Sequence, residues 1–392
     1  MAIDVPALSI QPSALDVIND VETGTVAQDS IWVSWVPFEA GSKTRHETFN
    51  VYSQQGQLTL RNVENSGISV DYNKTKSMKI AYDKEEFTMK FPTRVFAKYG
   101  NKHDLSTVDI SAHGQLLVVG DTHGAIDILD AKDGTLRRRL SGHYMDVTKV
   151  GFFPSGEVVL SCGLDFQLKI WSAVDGSNPR TFLGHTRGVT DFAMIGRGRN
   201  FVSSSLDGTA RLWETGSGKC IHTFSIGESI NALSLLHSGS DGDAKSELEF
   251  ETSGKTIVAG SDRGIHLFDL RARNTASSGA IGDSEGNLTS LATVNEHTYA
   301  YGTDKGSFSV VDIRSGVLQA GKKRETSITS LAVRKDQLIV ATGDGTPFAV
   351  GLSDMNNPPI SFYGGDDNSV TATVAGEGGI VFAGKRGSLR MY

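Results

Sequence analysis

The sequence predicts an all-β protein: a seven-bladed β-propeller preceded by a small β-rich N-terminal domain. Short apolar strands recur with a period of about 42 residues, and each period contains four of them, as in "VTKVGFF", "GEVVLSCG", "FQLKIWSA" and "PRTFLG". This combination is typical of propeller blades. The 44 glycines, spread along all 392 residues, suit a chain with many tight turns.

Seven short strands each follow a turn containing Asp or Gly and end on an apolar residue. Their ends are Leu129, Trp171, Trp213, Phe268, Val311, Val350 and Tyr392. Successive ends are 42, 42, 55, 43, 39 and 42 residues apart, which predicts seven blades. The one long interval contains the polar stretch "HSGSDGDAKSELEF", which we interpret as a surface loop, because loops tolerate insertions at little entropic cost.

The two ends of the repeat region predict how the ring closes. Tyr392 is the last residue of a third strand, so the seventh blade lacks an outer strand. The segment "TRVFAKYG" (93–100) resembles the outer-strand segments "LRRRLSGH" and "PRTFLGH". We therefore expect a propeller over residues 93–392, closed by a strand from residues 93–100 that pairs with the last blade and covers its open edge.

Residues 1–92 do not keep the 42-residue period. Segments such as "IWVSWVPF" and "SMKIAY" alternate as strands do, which predicts a separate β-rich domain. Because "QQGQLTL", from Gln54, imitates a blade turn, a degenerate eighth blade remains an alternative. We expect Trp32 and Trp35 to fill the core of this domain.

Composition argues against several classes of function. A net charge of −7 does not favour nucleic-acid binding. Cys162 and Cys220 lie far apart and outside any CxxC pair, so we expect no disulfide framework, metal site or cofactor. No signal-peptide pattern or apolar run of 18 residues occurs, which predicts a soluble intracellular monomer without membrane contact. The basic stretches "LRRRL" (from Leu136) and "GKKRE" (from Gly321) are expected on outer strands, where they discourage edge pairing.

A pattern of His, Ser, Asp and Trp occurs twice with spacings of 18, 4 and 6 residues. The two quartets are His143, Ser161, Asp165 and Trp171, then His185, Ser203, Asp207 and Trp213. A repeat at the blade spacing favours a buried hydrogen-bond relay, in which every polar group has a partner. The same residue types could form a hydrolase triad, and that alternative predicts labelling of Ser203 by a fluorophosphonate, which we do not expect. We interpret the protein as not an enzyme.

In a propeller, the lead-in loop before each blade and the turn between its second and third strands lie on one rim. The candidate contact residues there are Tyr144, Met145, Asp146, Phe166, Arg187, Glu228, Asp283, Glu285, Glu325, Asp366 and Asp367. Carboxylates beside Tyr, Met and Phe predict a docking surface for a basic protein partner. A protein of charge −7 must also place carboxylates on solvated loops, so this second interpretation stays open.

The residue sequence of the second and third blades is more specific than the 42-residue period. Their quartets, each opened by a Gly-His pair, look like those of the WD-repeat family. The stretches "GFFPSGEVVLSCGLDFQLKIWSAVDG" (151–176) and "GRGRNFVSSSLDGTARLWE" (196–214) closely resemble the proteasomal ATPase-associated factor family. The strong resemblance covers residues 147–224, and the later blades fit by pattern.

This resemblance implies a WD-repeat chaperone for assembly of the proteasome regulatory particle, in the cytoplasm and nucleus. Such a protein holds the C-terminal domain of a proteasomal ATPase subunit and blocks its premature docking on the core particle. The alternative is a generic WD-repeat scaffold or the substrate receptor of a ubiquitin ligase. A receptor normally needs an appended helical adaptor-binding segment, whereas residues 1–92 are predicted to form strands.

Overall fold

In the computed structural model, the chain is almost entirely β-structure. The structure describes residues 3–5, 8–35, 44–54, 57–63, 69–73, 76–82, 85–96, 103–237, 244–280, 286–323, 326–355, 357–364, 369–376 and 378–392. Within these ranges, no helix could cross a membrane.

Seven antiparallel four-stranded blades follow one another, each running from an innermost first strand to an outer fourth strand. The strands of blades 1 to 4 are Leu105–Ile110, Leu116–Asp121, Ala125–Asp130 and Leu136–Ser141; Val147–Phe152, Val158–Gly163, Leu168–Ser172 and Arg180–Phe182; Val189–Ile195, Asn200–Ser205, Thr209–Glu214 and Cys220–Ser225; Ile230–Leu236, Thr256–Ser261, Gly264–Asp269 and Asn274–Ala280. Those of blades 5 to 7 are Leu288–Thr293, Thr298–Thr303, Ser307–Asp312 and Gly316–Lys323; Ile328–Arg334, Gln337–Thr342, Phe348–Gly351 and Ile360–Phe362; Val370–Gly376, Gly379–Gly384 and Leu389–Met391, with a 3-10 turn at Lys385–Gly387.

The outer strand of blade 7 comes from the N-terminal side of the propeller. Arg94–Val95, within the expected closing segment 93–100, pairs antiparallel with Leu389–Met391. The backbone N–H of Phe96 extends this pairing to the carbonyl of Leu389, at 3.1 Å. Residues 97–100 lie outside the described ranges.

Apolar layers between neighbouring blades form the propeller core. One layer joins Ile126, Ile128 and Leu140 of blade 1 to Val150 and Trp171 of blade 2. The residues that carry the sequence period occupy equivalent places, because Leu129, Trp171 and Trp213 each pair with an apolar residue of the second strand of the same blade. The period therefore reflects one apolar position per blade, which is buried in five blades and half-buried at Val311 and Tyr392.

The first strands form a closed ring around a central channel of about 670 Å³, and blade 7 contacts blade 1. One side chain per blade bridges to a backbone carbonyl of the next first strand, and five of these seven hydrogen bonds measure 2.5–3.1 Å. The bridging residues are Ser106, Thr148, Thr190, Asn231, Thr289, Thr329 and Thr371. These hydrogen bonds replace the backbone ladder that inner strands of different blades do not share.

The N-terminal β-rich domain has its own core. Strands Leu8–Ile10, Gln28–Trp35, Arg45–Gln54 and Gln57–Asn62 form one sheet, and Ser69–Asn73, Ser77–Tyr82 and Glu85–Lys90 form part of another. The helix Ala14–Glu22 packs with both. Trp35 is fully buried in this core, but Trp32 lies half-buried on the opposite strand face and packs on His46, so the expectation for Trp32 is wrong.

These N-terminal strands lie outside the closed ring and continue two of its blades. Glu85–Lys90 pairs in parallel with the outer strand Ile360–Phe362 of blade 6, which makes a seven-stranded sheet. Ile3–Val5 pairs in parallel with the outer strand Gly316–Lys323 of blade 5. The basic "GKKRE" stretch therefore does not keep that edge unpaired, contrary to expectation, because Ile3–Val5 of the same chain pairs with it.

The inserted stretch between the first two strands of blade 4 packs against blade 3 in its described part, residues 244–252. Asn200 donates to the carbonyl of Leu248 at 3.0 Å, and the Arg199 guanidinium lies 3.4 Å above the Phe250 ring centre. Glu249, buried, pairs with Arg273 at 2.5 Å. This half of the insertion is thus held by specific polar contacts.

Candidate functional site

In blade 2 the side chains of the first quartet form one hydrogen-bond relay. His143 Nδ1 lies 2.9 Å from the Asp165 carboxylate, and His143 Nε2 lies 2.8 Å from Ser161 Oγ. The indole N–H of Trp171 donates to the same Ser161 oxygen at 2.8 Å. An Nδ1–H tautomer of His143 then gives every polar atom a partner, as a buried network requires.

Blade 3 repeats this relay with the second quartet. His185 Nδ1 lies 2.9 Å from Asp207, His185 Nε2 lies 2.8 Å from Ser203 Oγ, and Trp213 donates to Ser203 at 2.8 Å. Ser203 is fully buried. Its hydroxyl is engaged by both His185 and Trp213, so a substrate carbonyl could not reach it as the hydrolase alternative requires.

The electrostatics of the blade 3 relay keep Asp207 ionised and His185 neutral near pH 7. Although burial opposes it, hydrogen bonds from Thr209, His185 and the backbone of Thr186 hold the pKa of Asp207 at about 2. Burial lowers the pKa of His185, which outweighs the attraction of Asp207. In blade 2, burial likewise opposes a lowered pKa at Asp165, where hydrogen bonding to His143 prevails.

The relays also fix the rim, because each aspartate binds the lead-in loop of its own blade. Asp165 accepts the backbone N–H of Tyr144 at 3.2 Å, and Asp207 accepts that of Thr186 at 3.0 Å. The backbone N–H of Leu164 closes the same link in blade 2 by donating to the carbonyl of Asp146 at 2.9 Å. The side chains beside these anchors are therefore presented from a rigid backbone.

Four exposed apolar side chains lie on the rim of blade 2. We call Tyr144, Met145, Phe166 and Leu183 the blade-2 patch; they are 82%, 49%, 45% and 69% exposed. Tyr144 and Met145 belong to the lead-in loop and Phe166 to the turn after the second strand. Leu183 follows the outer strand, and the pairing of Phe182 with Leu168 brings it beside that turn.

Sequence reasoning named Tyr144, Met145 and Phe166 but missed Leu183. The available signal was its place directly after the apolar end of an outer strand, where the first blade has Ser141. Exposure of large apolar side chains that are held rigidly is typical of protein interaction sites.

Phe166 adopts a left-handed backbone conformation, with φ of 69°. The equivalent turns of blades 1 and 3 have Gly124 and Gly208 there, with φ of 84° and 79°. A side chain in this region costs about 1–2 kcal/mol, which glycine avoids. Blade 2 thus holds an exposed aromatic residue at a position where its neighbours have glycine.

Next to the patch, a cleft of about 230 Å³ separates blades 3 and 4 on the same rim. Arg187 and Glu228 lie on its two walls, and Arg187 is exposed. Glu228 accepts a hydrogen bond from Ser261 at 3.2 Å and lies 3.9 Å from Arg263. Glu228 is therefore partly committed to its own blade.

Most acidic members of the predicted rim surface fall outside the described ranges. Asp283, Glu285, Glu325, Asp366 and Asp367 are all there, so their role stays a prediction. Asp146 and Glu228 are described, and both are partly exposed. In the described ranges no three His, Cys, Asp or Glu side chains converge as metal ligands.

Three exposed rim carboxylates were not named from the sequence. Asp262, Asp304 and Asp344 occupy the turns after the second strands of blades 4, 5 and 6. Asp304 accepts the backbone N–H of Asn287 at 2.9 Å, which ties turn to lead-in loop without a histidine. Their recurrence in "SDRG", "TDKG" and "GDGT" was a usable signal, but Arg263 and Lys305 adjoin them, so this part of the rim carries both signs of charge.

Comparison with known proteins identifies the repeats first. The family described as WD domain, G-beta repeat matches residues 134–172 and 176–214. Each match runs from the outer strand of one blade through the third strand of the next, so the sequence repeat is offset from the structural blade by one strand.

A longer match covers most of the chain. Over 305 residues the chain is 34% identical to the 26S proteasome regulatory subunit RPN14 of Saccharomyces cerevisiae, which covers 72% of this chain and 73% of that one. The chain belongs to the family of RPN14 and proteasomal ATPase-associated factor 1.

Other members of the RPN14 and proteasomal ATPase-associated factor 1 family match over shorter lengths. The chain is 39% identical over 92 residues to human proteasomal ATPase-associated factor 1, and 32% identical over 97 residues to the probable proteasomal ATPase-associated factor 1 of Dictyostelium discoideum. These two matches span about a quarter of this chain and of each relative.

Proposed function

We propose that this chain is an assembly chaperone of the proteasome regulatory particle. It binds the C-terminal domain of a proteasomal ATPase subunit, blocks its premature docking on the core particle, and catalyses no reaction. The observation that carries this proposal is the match to RPN14 across most of the propeller, since that relative is named as a 26S proteasome regulatory subunit. The names of the shorter matches add association with proteasomal ATPases.

We place the main contact on the blade-2 patch. Its four side chains are exposed, apolar and held on a backbone tied to the relay, so ordering them on binding costs little entropy. Arg187 and Asp146 adjoin the patch and supply the polar border that protein interfaces usually have. The rim carboxylates around the ring contribute electrostatic attraction to a basic partner surface.

A helical adaptor-binding segment, as in a ubiquitin-ligase receptor, is not supported by the N-terminal domain. The nine-residue helix Ala14–Glu22 turns Ala14, Ile18 and Val21 into the core of its own domain. We also propose that the protein functions as a monomer in the cytoplasm and nucleus.

The test is capture of purified ATPase C-terminal domains on the immobilised full chain at low salt. We expect one ATPase domain to bind, and Tyr144→Ala to weaken it by about tenfold or more, as truncation of an interface anchor does. Val317→Ala is the matched control, because Val317 is 60% exposed on the outer strand of blade 5, away from the patch. No capture of any ATPase domain would contradict the function, and equal effects of the two variants would contradict the site.

A further inference from the structure

A second apolar groove lies at the other end of blade 2, against the outer strand of blade 1. It has a volume of about 490 Å³ and is floored by Leu116, Ile128 and Ala173. Leu136 and Val174 stand at its walls and are 51% and 64% exposed. The groove adjoins the turns before the second strand and after the third strand of blade 2, so it is separated from the blade-2 patch by the length of the strands.

The charged side chains that line this groove are Arg137 and Arg138 of blade 1 and the exposed Glu157 of blade 2. Arg137 is paired with Asp130 at 2.5 Å, and Arg139 with Asp127 at 2.7 Å. Arg138 donates to the carbonyls of Val174 and Arg137, at 3.0 and 3.1 Å. Among the described residues no carboxylate lies within ion-pair distance of Arg138, so its guanidinium can pair with a carboxylate of a partner.

The backbone beside the groove is also open. Leu136–Ser141 is the last strand of its sheet, and no strand in the described ranges pairs with its outer edge. The same molecule extends two equivalent edges with an additional parallel strand, Ile3–Val5 on blade 5 and Glu85–Lys90 on blade 6. Addition of a strand at an outer edge is therefore geometrically compatible with these blades.

We propose that the outer strand of blade 1 binds an extended acidic segment of a protein partner as a fifth strand. The partner's backbone pairs with the outer edge of Leu136–Ser141. One apolar side chain enters the groove, and a carboxylate two residues away, on the same face of the strand, pairs with Arg138. Because two of the three arginines are neutralised within the blade, the run "LRRRL" protects this edge less than its composition indicates.

The probes are fluorescein-labelled eight-residue peptides, measured by anisotropy against the full chain. Six of the eight positions are threonine. The other two lie two residues apart: one is Leu or Ala, and the other is Glu or Lys. We expect saturable binding of the Leu/Glu peptide, about tenfold tighter than the Leu/Lys peptide, because attraction is exchanged for repulsion at an exposed site. Replacing Leu by Ala, or methylating the amide nitrogens that face the strand edge, should abolish it.

Variants of Arg138 test the assignment. Arg138→Glu should reverse the preference toward the Lys peptide, and Arg138→Gln should abolish the preference for the Glu peptide, with thermal midpoints confirming that both variants fold. Arg180→Glu is the matched control, since Arg180 lies on the outer strand of blade 2 and donates to the carbonyl of Gly216. No saturable binding, equal binding of Glu and Lys peptides to the unmodified chain, or full binding of the methylated peptide would overturn the proposal. None of these results bears on capture of the ATPase domain.

Discussion

The backbone conformation of Phe166 predicts that glycine at this position gives a more stable fold than alanine. Phe166→Gly and Phe166→Ala both delete the aromatic ring, so they lose the same packing. Alanine keeps the cost of the left-handed conformation at φ of 69°, about 1–2 kcal/mol, and glycine does not. Glycine, however, loses more conformational entropy on folding than alanine, which costs the Gly variant about 0.5–1 kcal/mol. The Gly variant should therefore be more stable than the Ala variant by roughly 0.5–1 kcal/mol.

The assay is thermal unfolding by calorimetry, in which this difference raises the midpoint by about 1 °C for a protein of this size. Leu183 is the matched control: it is exposed on the same patch and has no positive φ. Leu183→Gly should accordingly be less stable than Leu183→Ala. A Phe166→Gly variant no more stable than Phe166→Ala would refute the strain. Both Phe166 variants should also bind the ATPase domain more weakly, which tests the proposed site separately.

Three further predictions concern the relays and the ring. Trp213→Ala should cost about 3–5 kcal/mol and Trp213→Phe about 1–3 kcal/mol, because the latter keeps an aromatic ring but removes the indole donor to buried Ser203; equal thermal midpoints for both would contradict the relay. Burial holds the pKa of His185 below its unfolded value of 6.5, so the folded state binds fewer protons, and the free energy of unfolding should fall as pH drops below about 6.5. Asp207, with a pKa of about 2 in the folded state, adds a further loss of unfolding free energy as pH falls below about 4. In urea titrations at each pH, His185→Gln should reduce only the loss between pH 7 and 5. An unchanged slope of unfolding free energy against pH in that interval would contradict this prediction. Thr329→Val should cost about 0.5–1.5 kcal/mol by removing one inter-blade bridge, whereas an unchanged midpoint would mean that water replaces the hydroxyl.

The periodic part of this fold was accessible from the sequence because each blade has one apolar residue at the same place in its third strand. Trp171 in blade 2 and Trp213 in blade 3 occupy this place and pair with Val159 and Phe201 in the same register. The error at Trp32 was avoidable: residues three apart in a strand point to opposite faces, so Trp32 and Trp35 could not both fill one core.

Other features depend on contacts between distant segments and leave little local pattern. Leu183 belongs to the blade-2 patch only because its strand pairs with Leu168, which sets the place where the chain leaves the sheet. The parallel pairing of Ile3–Val5 with blade 5 joins segments more than 300 residues apart, and short polar-flanked strands do not reveal such partners. The composition of the blade-2 patch therefore needed the three-dimensional structure.

The attachments of the N-terminal strands fall on consecutive blades. Ile3–Val5, Glu85–Lys90 and Arg94–Val95 lie along blades 5, 6 and 7, whereas the His-Ser-Trp relays lie in blades 2 and 3. Three of the five blades for which no such relay is described are thus paired from outside with strands of the N-terminal part of the chain. Deletion of these N-terminal strands would loosen blades 5 to 7 first, and blades 2 and 3, with the blade-2 patch, would stay folded longest.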